Sequence, residues 1–130
     1  MKKISRWIVL GLAVAAVALM AQTAPTFKRT VVEKADVSVP GREAVVARIE
    51  FEPGASAGRH THPGDEISYI IQGEGEILME GQPPRKVKAG DGFVVPAGVK
   101  HDARNTGSGP LILSGVYVVE KGKPLATPAP

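Results

Sequence analysis

The sequence predicts an all-β domain, a sandwich or barrel of short strands. Three observations support this. Among 130 residues, 15 are Gly and 11 are Pro, which disfavours helix interiors and supplies turns. Apolar and polar residues alternate over short runs, the period of a half-buried strand. Clusters of Gly and Pro separate those runs at the spacing of a sandwich or barrel. No stretch beyond residue 22 sustains a helical period.

The elements follow in order. Lys2, Lys3 and Arg6 precede an uncharged apolar run from Trp7 to Met20. This is the length of a signal-peptide core and falls short of the roughly 20 residues that a spanning helix needs. Residues 1–21 are therefore expected to be a signal peptide, with an uncleaved N-terminal anchor as the alternative. Ala16-Val17-Ala18 and Ala21 offer cleavage positions, and no Arg pair precedes the run, which favours export of an unfolded chain. Either reading places the domain outside the cytoplasm, in the periplasm or secreted. Contact with a membrane is expected only through this segment, if it is uncleaved.

Residues 22–29 read as a linker and residues 30–120 as the folded domain. Glu43 to Glu52 alternates, with Val45, Ala47, Ile49 and Phe51 on one face and Val46, Arg48 and Glu50 on the other, so Arg48 is expected outside. Pro53-Gly54 ends the run. Further strands are expected at Glu66–Gln72, Glu76–Glu80, Gly92–Val95 and Leu111–Val119, separated by Gly73, Gly81-Gln82-Pro83-Pro84, Ala89-Gly90 and Gly107-Ser108-Gly109-Pro110. Lys86 and Lys88 flank Val87 as on a polar or protected edge strand. Residues 121–130, with Pro124, Pro128 and Pro130, read as a flexible Pro-rich tail.

Composition excludes several functions. Without cysteine there is no disulfide scaffold, thiolate nucleophile or Cys-ligated metal. Lys2, Lys3 and Arg6 account for the whole net charge of +3. The remainder is formally neutral and carries no nucleic-acid footprint. Gly73-x-Gly75 lacks the further Gly and the helix of a phosphate loop.

The three histidines carry the chemistry. In Gly58-Arg59-His60-Thr61-His62, an extended backbone would send both imidazoles from one face, with Cα atoms roughly 6–7 Å apart. That spacing lets both rings converge on one ion. Glu66 follows a Pro63-Gly64 break, where a turn would return its carboxylate toward the pair. His101 follows Pro96-Ala97-Gly98 at the head of another candidate strand. Taken singly, each is as well explained as a solvated or hydrogen-bonded residue, and Glu66 as a surface carboxylate. Tyr69, Arg48, Arg59 and Tyr117 could approach a ligand, and Asp102 with Arg104 reads as a solvated pair.

All four residues fall inside two longer patterns. The first is Gly54-x5-His60-x-His62-x3-Glu66-x6-Gly73, and the second is Gly90-x5-Pro96-x-Gly98-x2-His101-x3-Asn105. Position for position these resemble the two signature motifs of the cupin superfamily, and the flanking strands extend the likeness over nearly the whole mature chain. The glycines stand where sharp turns need positive φ, Pro96 suits a strand end, and Asn105 suits a turn cap.

The resemblance implies a single small jelly-roll β-barrel holding one divalent transition metal ion through His60, His62, Glu66 and His101. Similar cupins use iron, manganese, nickel, copper or zinc, which the donor set does not distinguish. By the affinity order alone it favours copper or zinc. The likeness to small quercetin-dioxygenase-like cupins implies a metal-dependent, dioxygenase-like oxidoreductase acting on a small organic molecule. Glu66 would then serve also as a catalytic base toward a substrate hydroxyl. The alternative is a module that binds metal or a small ligand without turnover. Related small cupins pair through sheet edges, so a homodimer is compatible with the likeness.

Overall fold

The computed structural model describes residues 23–130. The expected leader, residues 1–21, lies outside the described residues. Within these residues ten strands form two five-stranded sheets, and every pairing among them is antiparallel. They are β1 (Phe27–Asp36), β2 (Arg42–Phe51), β3 (His60–Thr61), β4 (Gly64–Gln72), β5 (Glu74–Met79), β6 (Arg85–Lys88), β7 (Gly92–Val95), β8 (His101–Asn105), β9 (Leu111–Glu120) and β10 (Thr127–Pro128). One sheet has the order β1-β2-β9-β4-β7 and the other β10-β3-β8-β5-β6. Among the described residues there is no helix. The all-β expectation holds, with the two-sheet arrangement of a jelly roll.

The strand period explains the core. Val45, Ala47, Ile49 and Phe51 of β2 are buried and Arg48 is exposed, as alternation requires. They meet Ile70, Ile77, Val87, Phe93, Val95, Leu111, Leu113, Tyr117 and Val119 from the other strands. Each large apolar side chain buried there contributes about 1.5–3 kcal/mol. Along β4 the buried positions are Gly64, Glu66, Ser68 and Ile70. Two inward positions are thus polar, and they mark where the core becomes a site.

Turn geometry follows the motif glycines. Gly54, Gly73, Gly90 and Gly98 all adopt positive φ, between 74° and 94°, where a Cβ would be strained. Gly64 answers to a different constraint. An added Cβ would lie 1.9 Å from the Val118 carbonyl oxygen, so only glycine lets β4 lie this close to β9. Asn105 caps as expected. Its Nδ2 donates to the carbonyls of Phe51 (3.0 Å) and Gly109 (2.8 Å), and its Oδ1 accepts from the Gly107 amide (2.9 Å).

Three placements differ from expectation. The linker read at residues 22–29 runs into β1, which starts at Phe27 and pairs with β2 over its whole length. A bulge between Val31 and Glu33 breaks its register, and neighbouring Val31 and Val32 are both exposed, so the strand carries no inward apolar period. The tail read as flexible over residues 121–130 instead pairs at β10, with Thr127 opposite Thr61 and Pro128 opposite His60. Pro is tolerated there because β10 is an edge strand. Asp102, read as half of a solvated pair, is buried. It accepts the Ser56 hydroxyl at 2.7 Å and meets Arg104 Nε at 3.5 Å, because residues 55–57 run alongside β8 and cover it.

Candidate metal centre

Residues of the two motifs reach one point, the histidines from one sheet and Glu66 from the other. His60 on β3 and His101 on β8 are direct cross-strand partners, which places their ring centroids 4.3 Å apart. His62 follows β3 immediately, its ring 4.7 Å from that of His60. Glu66 arrives from the other sheet on the inward face of β4. The turn carrying Gly98 is tied down where its amide donates to the His62 carbonyl at 3.1 Å. All four side chains are buried, none more than 8% exposed.

Hydrogen bonds determine which nitrogen each ring presents. Nδ1 of His60 lies 2.6 Å from the Gly58 carbonyl, Nδ1 of His62 lies 2.6 Å from the Leu125 carbonyl, and Nδ1 of His101 lies 2.9 Å from the Val99 carbonyl. A carbonyl has no proton to give, so each Nδ1 carries the N–H and donates. In the neutral rings every Nε2 is therefore a bare lone pair, the form in which imidazole binds metal. Burial lowers the pKa of His60, and neighbouring His101, His62 and Arg29 add to this against the Gly58 hydrogen bond.

These lone pairs share one focus. Nε2 of His60 and His62 are 3.2 Å apart, and Glu66 Oε2 lies 3.1 Å from His62 Nε2 and 3.2 Å from His101 Nε2. Donor atoms bound to one ion at 2.0–2.2 Å, about 90–110° apart, would stand about 3.0–3.4 Å from one another. Without a cation between them, bare nitrogens facing each other and a carboxylate repel. The donor set therefore fits a first-row divalent ion, and the three histidines form a cluster that could hold one.

Glu66 and Tyr117 complete the electrostatics. Burial would raise the Glu66 pKa, yet when His101 and His62 also carry a proton on Nε2 their hydrogen bonds, with that from Ser68, outweigh it and hold the carboxyl well below its usual range. Ser68 Oγ donates to Oε1 at 2.7 Å. Burial, followed by the Glu66 charge, pushes the Tyr117 phenol up to about 12 despite nearby Arg29, so it keeps its proton.

A small cavity opens beside the cluster. Phe51, Phe93 and Leu113 form much of its apolar wall, and His60, Glu66, His101, Arg29 and Tyr117 supply the polar groups. Arg29 Nε donates to Tyr117 Oη at 3.2 Å, and the guanidinium lies over the Phe27 and Tyr117 rings. Among the described residues no carboxylate forms an ion pair with Arg29. It is a half-buried positive charge left facing the cavity.

Sequence reasoning gathered His60, His62, Glu66 and His101, and the structure brings all four together. Of the residues expected to approach a ligand, only Tyr117 lines this cavity. Tyr69 is exposed, Arg48 pairs with Glu50, and Arg59 pairs with Glu80 on the surface. Reasoning from sequence missed Arg29, Ser68 and the Leu125 carbonyl. Ser68 was findable, since it lies two residues from Glu66 on the same strand face.

A jelly roll that presents these two motifs inside its barrel defines the cupin class, and the chain belongs to that family: its residues 47–122 match the model described as Cupin domain. It is 38% identical over 74 residues to the oxalate-binding protein of Thermotoga maritima, covering 56% of this chain and 60% of that one. It is 49% identical over 45 residues to the dimethylsulfoniopropionate lyase DddQ of Ruegeria pomeroyi, covering 35% of this chain and 22% of the lyase. The chain thus spans less than two thirds of each of these relatives. An uncharacterized conserved protein with a double-stranded β-helix domain from Klebsiella pneumoniae superposes with a TM-score of 0.62 at 28% identity, over 79% of this chain and 84% of that one.

Proposed function

We propose that this protein is a metal-dependent, dioxygenase-like enzyme acting on a small organic acid, with the ion held by His60, His62, Glu66 and His101. The observation that carries the reading is the cluster of three bare Nε2 atoms, with a carboxylate oxygen against two of them, beside a cavity with a guanidinium that has no ion-pair partner among the described residues. A bound divalent ion would supply Lewis-acid or redox chemistry at its open positions.

The chain's own residues do the rest. Arg29 binds a substrate carboxylate through its planar fork of donors. Phe51, Phe93 and Leu113 exclude water, which strengthens that charge pairing. Tyr117, kept as a phenol, holds Arg29 in orientation. Glu66 accepts a proton from a substrate hydroxyl on the oxygen that the ion does not take. The cavity size limits the substrate to a small molecule.

A second reading, binding without turnover, is favoured by the likeness to the oxalate-binding protein of Thermotoga maritima. Oxygen uptake and product analysis separate the two readings. Iron- or manganese-loaded protein is given oxalate, glycolate, diketones, catechols and flavonols. Turnover of a carboxylate with oxygen uptake supports the enzyme. Tight carboxylate binding with no product across the panel supports the binding module. Absence of a stoichiometric transition metal in protein taken directly from its native compartment refutes both readings. Export belongs to the same proposal, and cell fractionation with N-terminal sequencing of the mature protein tests it.

A further inference from the structure

We infer that residues 125–129 form a latch on the metal site: their backbone orients His62 and walls the cavity entrance, so metal retention depends on this segment being seated. The inference rests on the metal reading above and adds a controlling element to it.

The three imidazoles are not held alike. His60 and His101 donate to carbonyls two residues before them, Gly58 and Val99, so their own loops orient them. His62 donates to Leu125, 63 residues further along the chain, at 2.6 Å. One ring of the cluster thus depends on a distant segment for its tautomer and its angle.

That segment is held by few bonds. β10 pairs only with β3, through Thr127 opposite Thr61 and Pro128 opposite His60, and the Ala129 amide donates to the Arg59 carbonyl at 3.0 Å. Leu125 packs half-buried against the core. A two-residue edge ladder with one apolar anchor sits at the low-stability end of a fold and can open without the barrel opening. Its partner is the strand that carries His60 and leads into His62.

The same segment shapes access. Ala126 and Pro128 line an outer groove together with Arg29 and His60, and those last two residues also line the inner cavity. The groove is therefore the vestibule of the site, and the latch is one of its walls. Lifting the latch would widen the entrance and deprive His62 Nδ1–H of its acceptor. The ring would then be free to flip or to move its proton to Nε2, the atom needed for the ion. Losing a hydrogen bond of this type to a ligating histidine weakens metal binding by about 10–100-fold.

The test compares the full chain, a chain lacking residues 124–130, and Ala129→Pro, which removes one ladder donor. Ring ¹⁵N spectra of the metal-free proteins report each tautomer. Competition with a chelator gives the manganese(II) and zinc(II) affinities, and thermal unfolding of the metal-free proteins reports the barrel. His62 should be in the Nδ1–H form in the full chain and shift toward Nε2–H in the deletion, and by less in Ala129→Pro. His60 and His101 should stay unchanged, and metal affinity should fall about 10–100-fold in the deletion. A His62 spectrum identical in all three proteins overturns the latch. A full chain that takes up no metal refutes the proposed site, and the tautomer comparison then judges the latch alone.

Discussion

Arg29→Leu should separate substrate binding from metal binding. The guanidinium is half-buried, faces an apolar cavity, and has no ion-pair partner among the described residues. A carboxylate bound there gains a charge-assisted hydrogen bond worth about 1.5–3 kcal/mol. At about 1.4 kcal/mol per factor of ten, losing it weakens the complex by about 10–150-fold. The fold should survive. The side chain gives up one hydrogen bond to Tyr117 and two ring contacts at 5.3 and 5.4 Å, together about 1–2 kcal/mol, while leucine keeps part of the apolar stem's packing. Calorimetric titration of oxalate and glycolate into manganese-loaded protein measures the change, with Arg29→Lys as the control that keeps charge and loses the planar fork. Equal affinity in Arg29→Leu and the unmodified protein, at equal metal content, would refute the carboxylate assignment.

Three further outcomes are expected. His60→Ala and His101→Ala should each lose most metal while keeping the β-rich circular dichroism spectrum, and Glu66→Gln should bind metal less weakly than either but alter reactivity more; elemental analysis and activity measured side by side check this. In Tyr69→Phe protein the remaining tyrosine, Tyr117, should titrate near 12 by ultraviolet absorbance. Its raised pKa keeps stability intact below about pH 10 and erodes it between pH 10 and 12, because the unfolded chain loses its proton first; the loss is about 2–3 kcal/mol by pH 12, measurable by urea unfolding across that range. Asn105→Ala removes three hydrogen bonds, one of them to the buried end of β2, and should cost about 2–4 kcal/mol, read from the urea midpoint with metal content unchanged per folded molecule.

Much of this was legible along the chain. The alternation of Val45, Ala47, Ile49 and Phe51 gave the inner face of β2, and the motif glycines marked turns that do adopt positive φ. Asn105 was read as a cap and is one. The strand β1 was not legible, because Val31 and Val32 are neighbours at the bulge and both exposed, so the strand carries no inward apolar period. Asp102 looked solvated because nothing near it in sequence shows that Ser56, on another loop, would cover it. Arg29 carried no signal either, since its meaning comes from Tyr117 and the cavity, both far along the chain.

Strand period, turn conformation and the spacing of His60, His62, Glu66 and His101 are relations among neighbours, set by local sterics and side-chain type. Each was present before any fold was known. The common focus of those four side chains depends on β3 lying beside β8 and on β4 facing them from the opposite sheet. The Leu125 contact is further from reach still. A backbone carbonyl is the same in every residue, so only the folded chain could show which one His62 meets.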